Sequence, residues 1–306
     1  MRAITVRDRD AGVGGLSLTD MPYPHAAEND VIVRVHAAGF TPGELDWPTT
    51  WSDRAGRDRT PSIPGHELSG VVVELGYGTT GLTVGQRVFG PTDWARDGSL
   101  AEYTAVEARN LASLAADIDH TVAAALPISG LTAWQGLFDH ARLTTGQTVL
   151  IHGAAGGVGS IAVQLAREAG ARVIGTGRAD DREVALGLGA HAFLDLDADD
   201  LRHVGEVDVV FDGPDGSSPS SAPYGRFAKR RPRSPATAAR PERRSFRSRP
   251  NKAHSPRDRW ASRRHAPVRA PYGRGRAPGP SPRDGQLFGT GIFHTLRPKV
   301  AAYSVR

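Results

Sequence analysis

The chain has no cysteine among its 306 residues. That excludes disulfides and thiolate metal ligation, and it is compatible with a reducing compartment. No apolar run approaches the roughly 18 residues that a membrane-spanning helix needs. The first residues lack the basic-then-apolar pattern of a secretion signal, so a cytoplasmic protein is expected. Lysine is almost missing too. Residues 1–213 hold 16 Arg, no Lys and 29 acidic residues, a net charge of −13. Residues 214–306 hold 22 Lys plus Arg and 4 acids, a net of +18. The overall +5 therefore averages two unlike pieces. A basic total alone would point to nucleic acid, but the asymmetry says more. The length is enough for two domains with real cores.

The most informative stretch runs from Thr148 to Gly170. An apolar run (Val149, Leu150, Ile151) meets a tight turn of small residues, and an amphipathic run follows with Ile161, Leu165 and Ala169 four apart. This is strand, phosphate loop and helix in the order of a dinucleotide fold. Ala154, Ala155, Gly156, Gly157, Val158 and Gly159 form the loop. Gly156 lets the backbone approach a pyrophosphate, Gly159 lets the helix pack on its strand, and the helix N-terminus offers free N–H groups to an anion. Ala154 stands where the usual G-x-G-x-x-G has its first glycine. The alternative is a doubly wound domain that binds another nucleotide or none.

Residues 1–125 read as short β segments with turn punctuation: 31–35, 68–75 and 85–90. A small β-rich domain with barrel-like closure is expected. Near Thr121 the pattern turns helical. From Thr148 strands (148–152, 172–175, 192–196, 207–212) alternate with helices (about 158–169 and 180–188). Residues 126–213 thus read as the first half of a doubly wound sheet plus the strand that begins its second half, so the fold class is α/β. Residues 214–285 hold 17 Arg and 13 Pro with almost no Leu, Ile or Val. Too little apolar surface offsets chain entropy there, so disorder is expected, and 286–306 is too short for a domain. The 207–212 strand is expected to lose the neighbours that would cover its edge.

Six segments together resemble the medium-chain dehydrogenase/reductase superfamily, in particular its zinc-free quinone oxidoreductase branch. They span 39–48, 64–72, 85–90, 98–103, 128–134 and 152–159, in family order and at family spacing. The resemblance covers residues 1 to about 213 and implies a GroES-like catalytic domain followed by a Rossmann domain. It implies hydride transfer from NADP(H) to a small planar carbonyl or quinone, and a homodimer where the cofactor domain is complete. After the 207–212 strand, the continuation that the family has is absent.

His66 and Glu67 sit where zinc-containing relatives place a His-Glu pair, and Thr41 where those relatives have a cysteine. One His without a thiolate partner is a poor zinc site, so no metal is expected. His66 reads instead as a turn residue hydrogen-bonding between strands. Without a metal, hydrogen-bond donors must stabilise the charge that develops on the substrate oxygen. Thr41 and Trp47 are candidates because their segment resembles the family's substrate-facing loop. Asp46 either relays a proton or caps a turn. Trp47, Trp51 and Trp94 either line a flat apolar pocket or belong to the core. Thr132 resembles the position that contacts the nicotinamide end; its alternative is a hydroxyl bonded within a helix.

Cofactor choice is read after the second strand. An acid there would bind the ribose of NAD. This chain has Gly177, which leaves room, and Arg178, whose planar fork suits a 2′-phosphate. Asp180 and Asp181 are expected in the first turn of the next helix. The Arg-rich segment has three readings: a nucleic-acid-binding arm, a solvated linker, or a shifted reading frame. The last is favoured. GC-rich codons misread give Arg, Pro, Ala, Ser and Gly, and the change falls at a strand end rather than after a finished fold.

Overall fold

The computed structural model describes residues 1–212 together with the short strands 226–229 and 302–304. Its first part is built from strands. β1 (Arg2–Thr5) pairs antiparallel with β2 (Ser17–Asp20). A six-stranded antiparallel sheet follows from β3 (Asp30–Gly39), β4 (Glu67–Leu75), β5 (Arg87–Pro91), β6 (Tyr103–Glu107) and β7 (Ala112–Ser113). Its order is β13-β3-β4-β5-β7, with β6 also paired to β3 and β13 at Ala302–Ser304. Alternation along these strands turns Val31, Val33, Val35, Leu68, Val72, Val88 and Val106 into one apolar core. Single bridges, Ala3 to Ala101 and Val6 to Ser62, tie the β1–β2 ribbon to that body.

Three helices follow the β-rich region or interrupt it. α1 (Pro48–Trp51) lies between β3 and β4, and α2 (His120–Ala124) and α3 (Pro127–Trp134) follow β7. Asp119 caps α2 by accepting from the Thr121 N–H at 2.7 Å. α3 begins on Pro127, which suits a first helical turn, and widens at its end into a π-helical stretch, Gln135–His140.

The second sheet has the order β10-β9-β8-β11-β12. β8 (Thr148–His152), β9 (Arg172–Gly177), β10 (Ala192–Asp195) and β11 (Val209–Asp212) run parallel. α4 (Gly157–Glu168) connects β8 to β9, and α5 (Arg182–Gly187) connects β9 to β10. Val149, Ile151, Ile161, Leu165, Val173, Phe193, Val209 and Phe211 form its core. β8 lies between β9 and β11, so the strand order reverses beside it, as the doubly wound reading requires. α5 starts later than expected because residues 179–181 form a 3-10 turn first. β11 starts at Val209 rather than 207.

One expectation is corrected. The outer edge of β11 is not bare, because β12 (Arg226–Lys229) pairs with it antiparallel, Phe211 opposite Phe227. Those four residues lie within 214–285, the segment expected to be disordered. The rest of that segment, and the tail 286–306 apart from β13, lies outside the described residues. Among the described residues no helix is long and apolar enough to cross a membrane.

Candidate functional site

Two neighbourhoods carry the candidate residues. The first surrounds the turn that leaves β3. Thr41 and Glu44 close it reciprocally: the Glu44 N–H donates to Thr41 O at 3.0 Å, and the Thr41 N–H donates to Glu44 Oε2 at 3.1 Å. Glu44 Oε1 accepts from the Gly65 N–H at 2.5 Å, which ties the turn to the entry of β4. His66 follows, fully buried, with Nδ1 3.0 Å from Thr92 Oγ1 and Nε2 without a partner. That Nε2 lies 3.7 Å from Glu44 Oε1. Trp47 stacks on His66 with centroids 6.0 Å apart and on Trp94 at 5.0 Å. An open groove of about 380 Å³ lies against Trp94 and Thr92.

Burial sets the ionisation of this cluster. It pushes the Glu44 carboxyl up to about 7, against the opposing pull of the Gly65 and Thr41 N–H groups. It also pushes Glu67 up to about 7, with the Ile128 N–H opposing and the Glu44 charge reinforcing. The same desolvation holds His66 down at about 4, so its ring is neutral near pH 7. Its Nδ1 meets Thr92 Oγ1, just past the end of β5. His66 is thus the strand-bridging turn residue expected.

The structure brings Thr41 and Trp47 together with His66, Glu44 and Trp94. Asp46 ends the 3-10 turn Glu44–Asp46 and is exposed. Trp51 is core: it packs with Val6 and Leu45, and its indole N–H donates to Leu45 O at 2.7 Å. Glu44 and Thr92 were missed by sequence reasoning. A lone acid between Gly43 and Leu45 carries no periodic signal that it is buried.

The second neighbourhood is the loop from β8 into α4. Gly153 turns at φ +62 and Ala154 N–H donates to Thr176 O at 2.9 Å. Ala154, Ala155 and Gly159 are buried, whereas Gly156 is exposed and Gly157 and Val158 are half-buried. A Cβ on Gly159 would lie 2.0 Å from Gly153 O, so only glycine permits this approach. Gly156 is the N-cap of α4 and supplies no side-chain cap. The N–H groups of a twelve-residue helix therefore face the crevice at the C-terminal end of β8. These residues fit a dinucleotide's phosphates.

At the end of β9 the Arg178 guanidinium is exposed and pairs with no described carboxylate. Its backbone N–H donates to Asp181 Oδ2 at 3.2 Å. Gly177 does not leave open room as expected: a Cβ there would meet Asp181 Oδ2 at 2.9 Å and Phe193 Cζ at 3.2 Å. The space that the missing side chain frees is filled by Asp181 turning back to cap the chain. Thr132 Oγ1 donates to Ile128 O at 2.7 Å, within α3.

Residues 27–116 match the alcohol dehydrogenase GroES-like domain. The quinone oxidoreductase from Coxiella burnetii superposes with a TM-score of 0.61 at 31% identity, over 70% of this chain and 68% of that one. This chain belongs to the quinone oxidoreductase branch of the medium-chain dehydrogenase/reductase superfamily. Among curated members of that superfamily, the tomato (Solanum lycopersicum) 2-methylene-furan-3-one reductase is 33% identical over 63% of this chain and 52% of its own. The Arabidopsis thaliana chloroplastic NADPH-dependent alkenal/one oxidoreductase is 33% identical over 66% of this chain and 54% of its own. The chain thus spans about half the length of these two relatives. Metal-binding superfamily members need a convergent ligand set. Among the described residues of this one, no three His, Cys, Asp or Glu side chains could hold a metal ion.

Proposed function

We propose that the chain is built for zinc-free, NADPH-dependent reduction of a quinone or an α,β-unsaturated carbonyl. The observation that carries this reading is the uncapped N-terminus of α4 at the switch-point end of β8. The relatives named for alkenal/one and quinone reduction support it.

NADPH, when bound, supplies a hydride. The chain's own residues do the rest. Gly157 and Val158 would present N–H groups to the pyrophosphate beside the exposed Gly156, whose own N–H is held by Gly153 O, and Arg178 would pair with the 2′-phosphate. The Thr41 hydroxyl and Trp47 indole N–H donate to the substrate oxygen, where charge develops. Trp47 and Trp94 offer flat apolar faces to a planar substrate. Asp46, exposed beside them, is placed to exchange a proton with water.

Turnover is impaired in this chain. In this fold the nicotinamide end would lie over strands beyond the switch point, and after Asp212 the sequence departs from the pattern of that half. A misplacement of about 1 Å at the reacting carbons costs roughly 100-fold. The test is absorbance-monitored NADPH oxidation against a panel of quinones and enones, beside direct nucleotide binding. Binding with slow turnover is expected; no NADPH binding would overturn the reading. The Arg density of 214–285 favours a second reading, a non-catalytic chain whose basic segment binds nucleic acid. Steeply salt-dependent nucleic acid binding without NADPH binding would select it.

A further inference from the structure

α3 has no cap of its own. Its N-cap residue, Leu126, offers no side-chain acceptor, and Pro127 has no N–H to satisfy. The first N–H that needs a partner is that of Ile128. It donates at 2.9 Å to Glu67 Oε2, on a residue 61 positions earlier in the chain. Glu67 sits at the first position of β4 and is 2% exposed.

The sheet is built around this carboxylate. Glu67 pairs with Gly39 of β3, and a Cβ at Gly39 would lie 2.0 Å from Glu67 Oε1 and 2.5 Å from its Cγ. Any other residue at 39 would displace the side chain from its path to α3. Burying an acid is costly unless it gains hydrogen bonds, and a helix N-terminus also favours negative charge. Both compensations are present at Ile128. α3 in turn packs on α4 and carries Thr132.

We propose that Glu67 is a positioning residue of α3: its carboxylate, delivered from β4, is the helix's N-terminal cap and fixes where Thr132 and the flank of α4 lie. This rests on the reading above that the N-terminus of α4 faces NADPH. The cap itself rests on geometry alone.

The test compares two variants of similar volume in the full chain. Glu67→Gln keeps an acceptor for the Ile128 N–H, and Glu67→Met removes it. Amide exchange at Ile128 is expected to quicken about tenfold or more in Glu67→Met and to stay near the native rate in Glu67→Gln. The NADPH dissociation constant should rise about tenfold in the Met variant and be restored to within about twofold in the Gln variant. If Glu67 merely fills space, both variants will behave alike, and the proposal is overturned. Should Glu67→Met not fold, Ile128 exchange in the native chain decides. Protection equal to that of core β4 amides supports the cap, and exchange at the rate of an open amide overturns it. If the native chain binds no NADPH, the functional reading fails, and the exchange comparison alone decides the cap.

Discussion

His66 Nε2 faces Glu44 Oε1 across 3.7 Å, both side chains wholly buried. Their ionisation shifts have opposite consequences for stability. Glu44 moves from an ordinary 4.5 to about 7 on folding. The folded state then holds a proton that the unfolded chain releases, so this contribution falls as pH rises through that window. His66 moves from 6.5 to about 4, so its contribution grows as pH rises from about 4 to 6.5.

Glu44→Gln removes this falling component and leaves the similar one of Glu67 and the rising one of His66. Denaturant midpoints measured across this range should fall less steeply with pH in the variant than in the native chain. The difference in slope is at most about 1.4 kcal/mol per pH unit. Parallel curves would show that folding leaves the Glu44 pKa at its unfolded value.

Arg178→Ala tests the 2′-phosphate assignment. The exposed guanidinium has no described carboxylate to lose, so the variant should fold normally. Its NADPH dissociation constant should rise by about 10- to 100-fold, with NADH nearly unchanged. Equal weakening of both cofactors in a binding titration contradicts the assignment.

The two loop glycines should separate stability from binding. In Gly159→Ala the methyl meets backbone at 2.0 Å, so the helix must move off its strand. A loss of about 1–3 kcal/mol is expected by chemical denaturation. In Gly156→Ala the nearest atom is Gly153 O at 3.2 Å, a contact that a small shift relieves. That variant should keep its melting temperature while its nucleotide affinity drops, because the methyl stands on the exposed face where phosphate would lie. Unchanged affinity argues against phosphate at this helix end.

The break in composition after Asp212 has a genetic test. Translating the coding DNA in the other two frames beyond codon 212 should give Leu/Val-rich sequence that continues the sheet pattern. If neither frame does so, a shifted frame is not the origin of the Arg-rich segment.

β3, β4, β5, the elements from β8 to β11 and the phosphate loop were legible because each is a local pattern. Alternation gave β3, β4 and β5, and four-residue spacing gave α4. Thr41, Trp47 and His66 could be marked from the segments that resemble the family. What stayed hidden depends on distant pairings. Nothing near Glu44 shows that its carboxylate faces the amides of Thr41 and Gly65. Nothing near Trp51 shows that its indole bonds to Leu45 in the core. Gly177 misled for the same reason. A glycine implies space, but only the fold shows that Asp181 fills it.

Ala154 breaks the glycine fingerprint by one methyl group, and its setting shows where that methyl goes. Across the sheet, a Cβ on Gly175 would lie 2.7 Å from Ala154 Cβ. The two positions therefore share a single methyl's worth of space between β8 and β9. A pattern that scores position 154 alone records a defect, whereas the methyl there occupies space that Gly175 on the neighbouring strand leaves free. Complementarity of this kind is invisible to a linear motif, and it makes the two sites interdependent. Ala154→Gly paired with Gly175→Ala should be tolerated better than Gly175→Ala alone.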